Sequence, residues 1–204
     1  MAETSFLARR RWVEQCLCFG LGLQSLAQSG LAHGSAGEKG LQPWSMAQSL
    51  QWFEEQGLKF RLRGQATMRW FGLSLYDARL WTFESFDPGA WATQRFALEL
   101  IYTRAFEGAK IAQASLELMQ AQYGKNAERD RQWLAWMQQS FPDIQAKERL
   151  LGIHREAGAG CRFIHNRQLR MDLNDAAFAK AFFGIWLDPR TTEPALRKSL
   201  IGEA

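Results

Sequence analysis

At 204 residues, 47% of them hydrophobic and 23% charged, the chain has the size and composition of one ordinary globular domain with a sizeable core. Its net charge of +4 is spread in alternating signs, as in Arg129-Asp130-Arg131 and Lys147-Glu148-Arg149. That is a solvated surface and not a basic stripe, and with no nucleic-acid module in the sequence it argues against a nucleic-acid partner. Nine Trp and fourteen Phe point to rings in the core, or to rings lining an apolar cleft.

Residues 1–32 read as a signal peptide. Arg9-Arg10-Arg11 forms a positive n-region, Cys16 to Ala27 a modest apolar stretch, and Ser29-Gly30-Leu31-Ala32 supplies small residues for cleavage. Ala8 to Glu14 approximates a twin-arginine signal with Trp12-Val13 as its apolar pair, although Glu14 departs from the usual Lys. The expectation is an exported, periplasmic protein whose mature chain begins between His33 and Glu38, with residues 41–204 as its single domain. A retained amphipathic helix is the alternative. No other segment is apolar for long enough to span a bilayer, so no stable membrane span remains after signal removal. Cleavage would leave Cys161 as the lone cysteine, unable to form an internal disulfide.

Pro43 to Glu55 has helical character. From Leu58, apolar Leu58, Phe60 and Leu62 alternate with Lys59, Arg61 and Arg63, the period-two pattern of a half-buried strand. Thr67 to Phe83 continues as strand, with a bend or bulge at Gly72. Asp87-Pro88-Gly89 is a turn, and Arg95 to Tyr102 a third strand. Two helices follow. The first carries Ile111, Ser115, Leu118, Met119 and Gln122 on one face and stops at Gly124; the second starts at an Asn126 cap and aligns Trp133, Trp136, Met137 and Phe141. Strands resume over 150–155, 161–165 and 169–171, joined by a Gly-rich hairpin and an Asn166-Arg167 turn. A helix capped at Asn174 presents Phe178, Phe182, Ile185 and Trp186, and a short helix begins at Pro194. Strands, helices, strands, helices is the order of an α+β domain.

The chemistry-bearing residues are sparse. His33, His154 and His165 lack metal-ligand spacing, and neither CxxC nor HExxH occurs, so no metal or cofactor is expected. His154 and His165 are placed to face each other across the Gly-rich hairpin, or are ordinary strand residues. Gly158-Ala159-Gly160 joins strands without a following helix and is no phosphate loop.

Three blocks carry a resemblance. Phe182-Phe183-Gly184-Ile185-Trp186-Leu187 with Pro194-Ala195-Leu196-Arg197 and Gly202, the run Gly64 to Trp81 containing Leu75-Tyr76-Asp77-Ala78-Arg79-Leu80, and Phe96 to Arg104 together resemble the chalcone-isomerase-like family. The resemblance runs from Leu58 to Gly202. It implies an open-faced sandwich, an antiparallel sheet with helices layered on one face. It does not carry over catalytic residues. The family's isomerases hold the developing enolate with an Arg-Gly-Leu arginine, and the corresponding tripeptide here is Gln56-Gly57-Leu58. The helix over 108–123 has no Asn, and its one Tyr lies at its end. Some relatives without isomerase activity bind fatty acids through an Arg and a Tyr. On that basis Arg69, Tyr76 and Arg104 are the candidate ligand-binding residues, with a fatty acid or other small apolar molecule as partner. The leading expectation is a non-catalytic binding protein. The rivals are an isomerase or lyase with a different residue set, and a structural or partner-binding protein without a ligand.

Overall fold

The computed structural model describes residues 43–203, so residues 1–32, read above as a signal peptide, and the join after them lie outside the described residues. Helix α1 (Met46–Glu55) opens with a reciprocal cap: Gln48 N–H donates to Ser45 Oγ at 3.2 Å, and Ser45 N–H donates to Gln48 Oε1 at 2.9 Å. Six strands then form one antiparallel meander: β1 (Arg61–Trp70), β2 (Leu73–Thr82), β3 (Phe96–Tyr102), β4 (Arg149–His154), β5 (Cys161–His165) and β6 (Gln168–Leu173), each beside its neighbours in sequence. Helices α2 (Gly108–Tyr123) and α3 (Ala127–Ser140) sit between β3 and β4, and α4 (Ala176–Leu187) and α5 (Pro194–Ile201) close the chain. The fold class is as expected, α+β with an open antiparallel sheet.

The two faces of the sheet are covered differently. Helices α2 to α5 layer on one face, where Phe96, Leu98, Leu100 and Phe163 meet Phe178, Phe182 and Phe183. Helix α1, which the sequence left unplaced, lies on the other, packing Trp52 and Phe53 against Phe60, Trp81, Ile153 and Ile164. Strand β1 serves both faces through a bulge. Leu62 pairs with Trp81 and Gly64 with Leu80, leaving Arg63 as the extra residue. Leu58, Phe60 and Leu62 therefore point toward α1, whereas Ala66, Met68 and Trp70 point into the helical layer.

The motifs of the resemblance acquire physical reasons here. Helix α5 rests directly on β1 at Gly64, where a Cβ would lie 2.1 Å from the carbonyl oxygen of Ser199. Arg63 Nε–H donates to Ile201 O at 2.9 Å, satisfying a terminal carbonyl of α5, and Gly202 leaves the helix at φ 78°. Asp188 ends α4 and is gripped by Arg190, whose Nε and Nη2 donate at 2.9 Å each; this holds the Asp188 carboxyl down to about 2. The Tyr123 hydroxyl at the end of α2 donates to the same carboxylate at 3.1 Å.

Two local expectations are corrected. The cap of α4 is Asp175, which accepts from Phe178 N–H at 2.6 Å, while Asn174 receives Arg155. His154 and His165 do not face each other: the register sets His154 opposite Cys161 and His165 opposite Leu150, at opposite ends of the pair.

Candidate functional site

The cleft between sheet and helices lies at the end of the sheet where β1 turns into β2. Its floor comes from Met68 and Trp70 of β1, Tyr76 of β2, Leu100 and Tyr102 of β3, and Leu150 of β4. Its roof comes from Ile111, Ser115 and Leu118 of α2, from Phe182, Ile185 and Trp186 of α4, and from Thr192, Glu193 and Leu196 at the start of α5. Alternation along each strand and the 3.6-residue period of each helix bring these positions to one side of their elements.

Polar groups in this lining are few. Trp186 Nε1–H donates to the Tyr76 hydroxyl at 3.1 Å, both groups buried, so the tyrosine keeps its own proton for another acceptor. Burial pushes the Tyr76 hydroxyl far above the ordinary phenol range, and the nearby Glu193 pushes the same way against the Trp186 hydrogen bond. Tyr76 is therefore a neutral donor and no base. Tyr102 stands opposite Tyr76 in the sheet with ring centres 5.8 Å apart. The Ser115 hydroxyl is spent on Ile111 O at 2.8 Å. The lining holds no lysine, arginine, histidine or cysteine, and its one carboxylate is Glu193. The cavity volume is about 40 Å³, enough for a few waters and well below the roughly 300–1,000 Å³ of small-molecule sites.

Of the three candidate residues, the structure puts only Tyr76 in the cleft. Arg69 is exposed: it pairs with Ser74 across the hairpin, between Met68 and Trp70, which both point inward. Arg104 lies half-buried in the bend after β3 and is likewise absent from the lining. Gln56 caps the C-terminus of α1 and borders a groove on the other face, so a cation there would not reach the cleft. That open groove, of about 480 Å³, also carries Arg95, Arg155, Arg162 and Arg167. Three of these four are already paired, Arg155 and Arg162 with Asp172 and Arg167 with Glu55.

Sequence reasoning missed Trp70, Tyr102, Trp186 and Glu193 as lining. Tyr76 and Trp186 both lie within the blocks of the resemblance, which was the available signal. Their convergence depends on strand register and helix docking.

Beneath the middle of the sheet the helical face is solid. His154 is buried against Phe96, stacked at 4.8 Å, and its Nδ1 lies 2.8 Å from Gln94 O. Burial lowers its pKa, and its Nε2 has no partner among the described residues. Cys161 is a free, buried thiol pushed up to about 12 by burial, hence an unreactive one. Among the described residues no group of histidine, cysteine and carboxylate side chains is arranged to hold a metal ion.

None of the curated proteins matches the sequence. A solved structure of a fatty-acid binding protein from Arabidopsis thaliana is similar in fold, with a TM-score of 0.53 at 8% identity, over 70% of this chain and 86% of that one. The family model described as chalcone isomerase-like matches residues 44–202, nearly all of the described chain and all three motif blocks. Gly64 under α5, the Asp188 stop and the meander beneath four helices are what those motifs build, and the chain belongs to the chalcone-isomerase-like family.

Proposed function

We propose that the protein is an exported, non-catalytic binding protein for a small lipid-like molecule, taken into the cleft between sheet and helices. The observation that carries this reading is the lining itself. Aromatic and aliphatic side chains surround a buried Tyr76–Trp186 pair whose hydroxyl proton remains to be given, with no cation in the lining and Glu193 as its single carboxylate. Such a site orients an uncharged acceptor, a carbonyl or an ether, and leaves an apolar tail to the rings. A carboxylate would meet Glu193 and no guanidinium, so the Arg69 anchor expected for a fatty acid does not belong to this cleft. The fold shared with the Arabidopsis protein supports the class of ligand without specifying it. The reading is non-catalytic because the cleft lining carries no histidine, cysteine or lysine to act as nucleophile or acid–base pair, and Glu193 stands there as a lone carboxylate.

Binding requires the cleft to widen, through the half-buried Trp70 and Leu118 at its mouth. The small cavity of about 40 Å³ favours a second reading, a structural or partner-binding protein with a filled core. One experiment separates the two. The full-length gene is expressed in a bacterial host, and the protein is recovered from the periplasm and weighed intact and under native conditions. The expected mass begins between His33 and Glu38, with a small neutral lipid-like adduct that organic extraction releases. A chain starting at Met1 removes export. An adduct-free protein that also fails to bind a fluorescent apolar probe removes the ligand reading and leaves the structural one. The same preparation should not cyclise chalcones above the solution background, nor should its Gln56→Arg variant.

A further inference from the structure

Strands β1 and β2 are joined by the two-residue turn Phe71-Gly72, with φ of 45° and 80°, flanked by the paired Trp70 and Leu73. Two successive positive φ values suit Asn-Gly, and a bulky residue at the first position is strained. Phe71 gains no burial in exchange: it is 81% exposed, and its one ring contact among the described residues is Trp70 at 5.1 Å. Leu73 beside it is 42% exposed. A sequence that keeps a strained phenylalanine in water where asparagine would fold better has a use for the ring outside the folded chain.

The surroundings indicate what that use is. Trp70, at the base of the tip, lines the mouth of the cleft. Arg69 is exposed opposite Ser74. Arg104 follows Thr103, whose hydroxyl donates to Ser74 O at 2.7 Å, so it stands at the same end of the sheet. The exposed Lys147 is at that end too, its N–H bonded to Tyr102 O at 2.7 Å. Neither the Arg69 nor the Arg104 guanidinium makes a hydrogen bond or ion pair among the described residues. The nearby acids are engaged: Asp77 accepts from Thr67, Glu107 pairs with Lys110, Glu148 pairs with His165, and Glu193 is turned into the cleft lining and is not without a partner. An apolar aromatic tip inside a collar of unpaired cations complements the surface of an anionic bilayer, acyl chains below and phosphates above. No helix among the described residues is long and apolar enough to cross a membrane, so this contact would be peripheral.

We infer that the β1–β2 hairpin tip is a membrane-docking element. It seats Phe71 and Leu73 in the acyl layer of an anionic bilayer, with Arg69 and Arg104 at the headgroups, and so holds the cleft mouth against the surface from which a lipid-like ligand is drawn. The last clause rests on the ligand reading above; the docking itself does not.

The test is co-sedimentation of the full chain with vesicles of phosphatidylcholine, with and without phosphatidylglycerol. Any contribution of the N-terminal segment is common to all variants. The unmutated protein should sediment with the anionic vesicles and be released by salt. Phe71→Asn should weaken partitioning about tenfold or more while leaving the thermal midpoint unchanged or raised, because Asn suits the turn. Arg69→Gln and Arg104→Gln should each weaken it about fivefold on anionic vesicles only. The proposal is overturned if the unmutated protein stays in the supernatant, if Phe71→Asn sediments like it, or if Phe71→Asn loses stability, which would assign the ring to the fold. Binding of the soluble apolar probe should be indifferent to Phe71→Asn. Probe binding without vesicle binding sinks the docking element alone, and the reverse sinks the ligand reading alone.

Discussion

The two faces of the sheet bury polar chemistry in opposite ways. Under α1, Glu99 and Arg149 are fully buried and form an ion pair at 3.2 Å, and the largely buried Arg79 lies 3.5 Å from the other oxygen of the same carboxylate. Ser49 Oγ at 2.6 Å and Trp81 Nε1 at 2.9 Å also donate to the Glu99 carboxylate, and the Arg149 guanidinium lies over the rings of Trp44 at 3.7 Å and Trp52 at 5.0 Å. Under α2 to α5, the ionised carboxylates Asp130 and Asp188 sit at helix ends with Arg129 and Arg190, while three titratable groups deeper in the core are held neutral. Tyr76 keeps its proton, His154 loses its own, and Cys161 stays a thiol, each because burial disfavours the charged form. The chain buries charge where it can surround the ion with matched partners, and neutralises elsewhere. The apolar cleft of the proposed ligand site lies on this second face.

The largest expected effect breaks the charged face. Glu99→Gln leaves the Arg149 guanidinium buried without its counter-charge and should destabilise the protein by about 3–5 kcal/mol, measured by urea unfolding. Replacing Glu99, Arg149 and Arg79 together with apolar residues of similar volume should cost much less than the sum of the three single changes. If Glu99→Gln is within about 0.5 kcal/mol of the parent, the pair is not what secures α1.

On the second face, Tyr76→Phe removes the acceptor of Trp186 Nε1–H. Leaving a buried donor unpaired costs about 1–3 kcal/mol, and the low end is expected because the adjoining cavity admits water. Affinity for an apolar probe should fall in the same variant. A loss of stability with unchanged affinity would make Tyr76 a core residue only.

The smallest effect is one of pH. The His154 pKa is lowered in the folded state, so between that value and the unfolded value of about 6.5 the unfolded chain binds more protons. Stability is then complete above about pH 6.5 and declines as the pH falls below it, by at most about 1.4 kcal/mol per unit. His154→Phe should flatten that slope between about pH 7 and pH 5.5. An equal slope in the two proteins would place the titrating group elsewhere.

Much of this fold was legible in the chain because its signals are local. The Asn126 cap, the Gly124 stop, the Pro194 start and the alternation after Leu58 act over a few residues and need no partner to be read. The candidate site was less legible. Arg69 and Tyr76 are seven apart, and no count along the sequence gives their relative facing. A turn at Phe71-Gly72 and a register shift at Met68/Arg69 put Tyr76 opposite Met68 inside and Arg69 outside.

The sequence by itself determined the order of elements, most of their ends, the antiparallel α+β class and the family motifs, since each depends on propensity, capping or spacing within a few residues. Only the tertiary structure decided that α1 covers the second face, that Glu99 and Arg149 meet across fifty residues, and that Tyr76 and Trp186 meet across 110. Those contacts follow from strand register and helix docking. A one-residue shift in register reverses which face every side chain takes, and no local preference along the chain records it.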